Sequence, residues 1–149
     1  MKVTHTVTLQ APVDQVWKVL LDPNELAGCI PGCDGLTPIG DDQYEAVMKV
    51  GVGAVRGTFR SKVSLRDIQP VSSYRMMVEG QGAAGVVSGE GLITLTPEGD
   101  GTIITVDGDA NIGGTVAAVG QRMLTGAARM LMTQFFTCIE KKAEGAAQS

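Results

Sequence analysis

From Leu36 to Ile112 apolar and polar side chains alternate with a period of two, and directly afterwards the spacing lengthens to that of a helix. Side chains alternate across a strand, so each such run carries one apolar face and one solvated face. Tyr44, Ala46, Met48, Val50 and Val52 share a face, with Glu45 and Lys49 opposite. Phe59, Ser61, Val63 and Leu65 share the next inner face, while Arg56, Arg60, Lys62 and Arg66 point the other way. Tyr74, Met76 and Val78 follow, then Gly89, Gly91, Ile93 and Leu95, and finally Ile104, Val106, Gly108, Ala110 and Ile112. This pattern predicts an antiparallel sheet with one buried face. A meander this long has to curl. One element remains to cover its inner side: from Thr115 to about Ala143, the stripe Val119, Met123, Ala127, Met130, Leu131, Phe135 and Cys138 predicts a single long helix.

The N-terminal third adds a strand over Lys2–Gln10 and a short amphipathic helix that carries Pro12 and Asp14 at its start and ends near Asp22-Pro23. A second helical turn is expected over Asn24–Ala27, then a turn-rich loop, Cys29-Ile30-Pro31-Gly32-Cys33-Asp34-Gly35. The expected fold is α+β: a curved antiparallel sheet of about seven strands wrapped around a long C-terminal helix, with two short helices after the first strand. The 149 residues fit one domain, placed at 1–144, with a frayed tail over 145–149.

Charge and motif content narrow the function. The net charge of −4 gives nucleic acid no basic footprint. There is no secretory h-region and no run of 18 apolar residues, so a cytoplasmic chain is expected. Three cysteines, an odd count, are expected to be free thiols in a reducing compartment. Cys29 and Cys33 lack a second ligand pair, and His5 is the sole histidine, so no metal is expected. No nucleophile–base pair and no phosphate loop stands out, so no catalytic residue is assigned.

The facing surfaces are built from small residues: Ala46, Ser61, Gly89, Gly91, Gly108 and Ala110 on the sheet, and Ala117, Ala118, Gly120, Gly126, Ala127 and Ala128 on the helix. Such surfaces either approach closely or leave a ligand cavity. On the cavity reading the lining is Met48, Val50, Phe59, Ser61, Val63, Met76, Val78, Gly89, Ile93, Val106, Gly108, Val119, Met123, Ala127, Met130 and Leu131. Arg60, Gln81, Gln121 and Gln134 are candidate donors to a ligand's polar end. The glycines of 80–91 read either as hairpin and bulge positions or as a mobile lip with an apolar tip at Ala83–Val87. The row Arg56, Arg60, Lys62 and Arg66 reads either as a solvated sheet face or as a docking surface for an acidic partner protein or anionic lipid.

Four segments carry a resemblance: APVDQVWKVLLDP at 11–23, LAGCIPGCDGL at 26–36, VGAVRGTFRSKVSL at 52–65 and GGTVAAVGQRMLTGAARMLMTQFF at 113–136. With these the chain resembles the carbon monoxide dehydrogenase G-subunit (CoxG) family of the START-like (SRPBCC) helix-grip superfamily, over nearly its whole length. The resemblance implies a helix-grip fold and a non-enzymatic role beside a molybdenum-containing carbon monoxide dehydrogenase or a related molybdenum hydroxylase. It also implies peripheral attachment at the inner face of the cell membrane. The apolar small molecule that fits this role is menaquinone or another isoprenoid quinone, carried as a ligand rather than as a resident cofactor. Two other readings stay open: a docking subunit with a filled core, and a cyclase- or hydrolase-like enzyme, which would need ionisable groups inside the cavity.

Overall fold

The uninterrupted alternation folds into one sheet. In the computed structural model, which describes residues 1–148 and side chains through Gly145, seven strands are present. They are β1 (Lys2–Leu9), β2 (Thr37–Gly40), β3 (Gln43–Val52), β4 (Val55–Gln69), β5 (Ser73–Gly82), β6 (Gly85–Glu98) and β7 (Gly101–Gly113). Their spatial order is β1-β7-β6-β5-β4-β3-β2, antiparallel throughout. Short turns keep β2 to β7 in sequence order, and β1 closes the far edge from Lys2↔Asp109 to Leu9↔Thr102. Between β1 and β2 lie α1 (Val13–Leu21) and α2 (Pro23–Cys29). The register slips between Arg66 and Gln69, where Asp67 takes a φ of 52°. Such a bulge increases local twist and bends the long strand.

Two clusters fix the ends of the sheet–helix sandwich. One gathers Leu9, Val16, Leu20, Tyr74, Ile104 and Ile139 around α1 and the later turns of the C-terminal helix. The other joins Val55, Phe59, Val116, Leu124 and Ala127 at the opposite end. One polar group between elements is matched in full burial: Thr102 Oγ1 donates to the Ala11 carbonyl at 2.8 Å.

Two expectations are corrected. The segment after β7 is not one helix from Thr115. A 3-10 turn covers Thr115–Val119, Gly120 breaks it at a φ of 94°, and α3 then runs from Gln121 to Gln148. The positive φ of Gly114 and Gly120 on either side of the turn explains why the helix cannot start earlier. Ser149 and the side chains from 146 onward lie outside the described residues, and with them most of the expected frayed tail; the helical backbone reaches Gln148. The cysteines are also not all free. Cys29 at the end of α2 is disulfide-bonded to Cys138 of α3, with Cα atoms 5.4 Å apart, and Cys33 alone is a free thiol. Leu26 and Cys29 are the buried residues of α2, and its packing on α3 brings the two thiols together.

Candidate functional site

Between the two packed clusters the sheet and α3 stand apart. The wider space, about 340 Å³, lies over the middle of the sheet. Its sheet side is formed by Val63, Met76, Val78, Gly89, Ile93, Val106 and Gly108, all expected from the alternation, and by Gly91 and Ala110. Its helix side is Leu131, Met132, Phe135 and Phe136, and Ile30 and Pro31 of the cysteine loop stand at its edge. A narrower lobe of about 200 Å³ continues toward the 3-10 turn, past Val50, Phe59, Ser61 and Ala127, again expected, to Val55, Val116 and Leu124. Val3, Met48, Val78, Val87, Ala110 and Leu131 line both lobes, so the two adjoin.

Three expected lining residues sit elsewhere. Met123 and Met130 are 47% and 51% exposed, one heptad apart on the solvent side of α3. Val119 belongs to the 3-10 turn and packs against the Val55–Phe59 cluster. With α3 starting at Gln121, the inward stripe is Leu124, Ala127, Leu131 and Phe136, one residue out of phase with the methionines. Sequence reasoning missed Val3 and Ala110, although both lie on faces read as inward. It also missed Ile30 and Pro31, which no periodicity marks because they belong to a loop. Arg60 and Gln81 lie on the outer sheet face and Gln121 and Gln134 are exposed, so none of the four reaches either lobe.

Ionisable groups are scarce inside. Ser61 Oγ donates to the Phe59 carbonyl at 3.4 Å and is the polar side chain of the narrow lobe. Glu90 and Asp109 border the wide lobe, yet both side chains belong to the solvated face and are exposed. His5 stacks on Phe136 with ring centroids 5.8 Å apart and planes 8° apart, a packing role beside the cavity rather than in it. Burial pushes the Tyr74 phenol well above its usual value. Tyr44 is raised as well, by burial first and then by Asp42 and Asp22. Neither tyrosine lines a lobe. Among the described residues no group of three or more His, Cys, Asp or Glu is placed to hold a metal ion.

The glycine-rich hairpin is anchored. The backbone N–H of Val116 and the hydroxyl of Thr115 both donate to the Ala84 carbonyl, at 2.8 and 3.0 Å. Its tip is thereby tied to the 3-10 turn over the narrow lobe, which favours the hairpin reading of these glycines over a mobile lip. On the outer face Arg56, Arg60, Lys62 and Arg66 are all exposed. Lys62 is flanked by Glu45 and Glu79 on the neighbouring strands, and Arg75 pairs with Asp67 at 3.4 Å and with Glu90 at 3.8 Å.

A curved antiparallel sheet closed over a long C-terminal helix, with an apolar cavity between them, defines a helix-grip protein. Solved structures share this architecture. A conserved protein from Geobacillus kaustophilus is 39% identical, with 98% of this chain and 97% of that chain covered and a TM-score of 0.94. The Zhui aromatase/cyclase from Streptomyces sp. R1128 is 20% identical over 97% and 93% of the two chains, with a TM-score of 0.65. TTHA0849 from Thermus thermophilus is 13% identical over 98% and 99%, with a TM-score of 0.70; these last two likenesses are of fold alone. No curated protein gives a significant match. The model of the carbon monoxide dehydrogenase G-subunit (CoxG) family matches residues 6–144, and the chain belongs to that family.

Proposed function

We propose that this protein is a non-catalytic accessory of a molybdenum-type carbon monoxide dehydrogenase that carries an isoprenoid quinone, such as menaquinone, between the enzyme and the membrane electron-transport chain. Family membership supports the link to the dehydrogenase. The observation that carries the cargo is the two-lobed cavity, whose inner surface is aliphatic, thioether and aromatic. An apolar occupant would take this aliphatic wall out of contact with water, which is favourable by about 25 cal/mol per Å² of apolar surface buried.

The same lining argues against the cyclase-like alternative. Acid–base catalysis needs a titratable group within hydrogen-bond reach of the reacting atoms. The carboxylates nearest the cavity, Glu90 and Asp109, turn outward to solvent. Among the described residues no helix is long and apolar enough to cross a membrane, so the reading is one of peripheral contact. We assign the exposed row Arg56, Arg60, Lys62 and Arg66 to docking on the dehydrogenase. Replacing Arg56, Arg60 and Arg66 by Glu should abolish co-purification of the enzyme, and unchanged co-purification would remove the row from this role.

Vesicle transfer tests the carrier reading. Vesicles loaded with a prenylated naphthoquinone are mixed with the protein and then pelleted. The account expects about one quinone per chain in the supernatant; a quinone-free supernatant contradicts it.

A further inference from the structure

Gly91 sits in mid-strand with an ordinary negative or extended φ. Glycine there weakens a strand, and it commonly marks a bulge or a place where a ligand or another backbone comes close. Its neighbours show which. A Cβ on Gly108 would strike the Glu90 carbonyl oxygen at 2.3 Å, so the close passage of β6 and β7 demands that glycine. A Cβ on Gly89 would lie a tight 3.2 Å from the Asp109 carbonyl oxygen. A Cβ on Gly91 would meet nothing nearer than 3.7 Å, from Val106 Cγ1. The pairing β5–β6 is in regular register through this point, so there is no bulge. The protein's own packing and backbone therefore do not ask for glycine at 91. What the missing side chain does is lower the floor of the wider lobe, which Gly91 lines.

The surface around it is flat. Gly91 pairs with Gly108, and Gly89 pairs with Ala110, so four adjacent positions on β6 and β7 offer peptide planes and one methyl group. Across the cavity stand Phe135 and Met132 of α3. Phe135 meets Phe136 edge-on, with centroids 5.0 Å apart and planes at 74°, and Phe136 is held in turn by the His5 stack. A bare peptide floor under an aromatic and thioether roof makes a slot suited to a planar conjugated ring, which gains from offset stacking and sulfur–aromatic contact. The narrower lobe has no such run of paired glycines; beside Phe59 and Met48 its wall is mainly Val, Ile, Leu and Ala, which suits a flexible hydrocarbon chain.

Resting on the carrier reading, we propose that the cavity is divided by ligand chemistry. The wider lobe seats a flat fused ring on the Gly89–Gly91–Gly108 floor, the narrower lobe takes the ring's apolar tail, and Gly91 determines the specificity for the ring.

Two probes separate the lobes: a 1,4-naphthoquinone bearing one short prenyl substituent, and dodecanol, which has no ring. Their binding to wild type, Gly91→Ala, Gly91→Val and Ala127→Leu is measured by titration, alongside each variant's melting temperature. The expected result is that Gly91→Val weakens the naphthoquinone at least tenfold and dodecanol less than twofold, with Gly91→Ala intermediate. Ala127→Leu, which narrows the other lobe, should weaken dodecanol more than Gly91→Val does. The alanine variant keeps the comparison intact where the valine variant fails to fold, because a Cβ alone meets only ordinary contacts. Equal loss of both probes in the Gly91 variants, or no loss of the naphthoquinone, overturns the division of the cavity and leaves the carrier reading standing. Wild-type protein that binds neither probe overturns both.

Discussion

At the scale of single residues, Tyr74 carries a buried hydroxyl with no hydrogen-bond partner. Its ring is fully buried and meets Trp17 edge-on at 5.8 Å. An unpartnered buried polar group costs about 1–3 kcal/mol. Tyr74→Phe keeps the ring packing and removes the orphan, so chemical denaturation should show a variant about 1 kcal/mol more stable than wild type. The pH dependence follows from the same burial. The folded-state phenol titrates well above the ordinary value of 10.0, so the unfolded chain loses this proton first as the pH rises. The stability associated with the protonated phenol is complete below about pH 10 and is lost progressively above it. Tyr74→Phe lacks that loss, and its advantage over wild type should widen above pH 10. A gap that is constant with pH would show that the hydroxyl reaches solvent in the native state.

At the scale of elements, the disulfide ties α2, and through it the Ile30–Pro31 edge of the cavity, to α3. Cys29 and Cys138 are 109 residues apart, and cross-links closing long loops commonly contribute about 2–4 kcal/mol. Cys138→Ser, or reduction, should lower stability by about that amount in urea unfolding. Thiol titration of the denatured protein without reductant should find one free cysteine, and all three after reduction. Three thiols before reduction would show the bond to be absent. The anchored β5–β6 tip makes its own prediction: the Val116 amide, which donates to Ala84, should exchange slowly with deuterium, whereas fast exchange would restore the mobile lip. The strands were legible in the sequence because one face is buried and the other solvated, so Tyr44 to Val52 or Val55 to Leu65 read unambiguously. The start of α3 was not. Val116, Val119 and Met123 continue a helical spacing across Gly120, and only the backbone geometry of that glycine reveals the break. Met123 and Met130 misled for a related reason: α3 is apolar on more than one side, so spacing alone does not say which stripe faces the sheet. The cysteine pairing depends on the docking of α2 on α3, a tertiary fact with no local signature.

At the scale of the whole molecule, two packed clusters hold a sheet and a helix apart, and the proposed cargo site is the space between them. Most of its wall was readable from strand alternation, since a residue on the concave face of a curled sheet has only the helix or the cavity before it. Its division into two lobes was not, because it depends on where α3 and the 3-10 turn sit. An occupant that binds only the folded state must stabilise it. At a hundred times its dissociation constant a ligand adds about 2.7 kcal/mol. For a domain of this size that should raise the melting temperature by about 5–10 °C. The most direct test of the carrier account is native mass spectrometry of the protein purified gently from quinone-containing cells. The account predicts a species heavier than the bare chain by one prenylated quinone, with dissociation releasing that molecule intact. A spectrum holding only the bare chain, before and after incubation with the quinone, would contradict it.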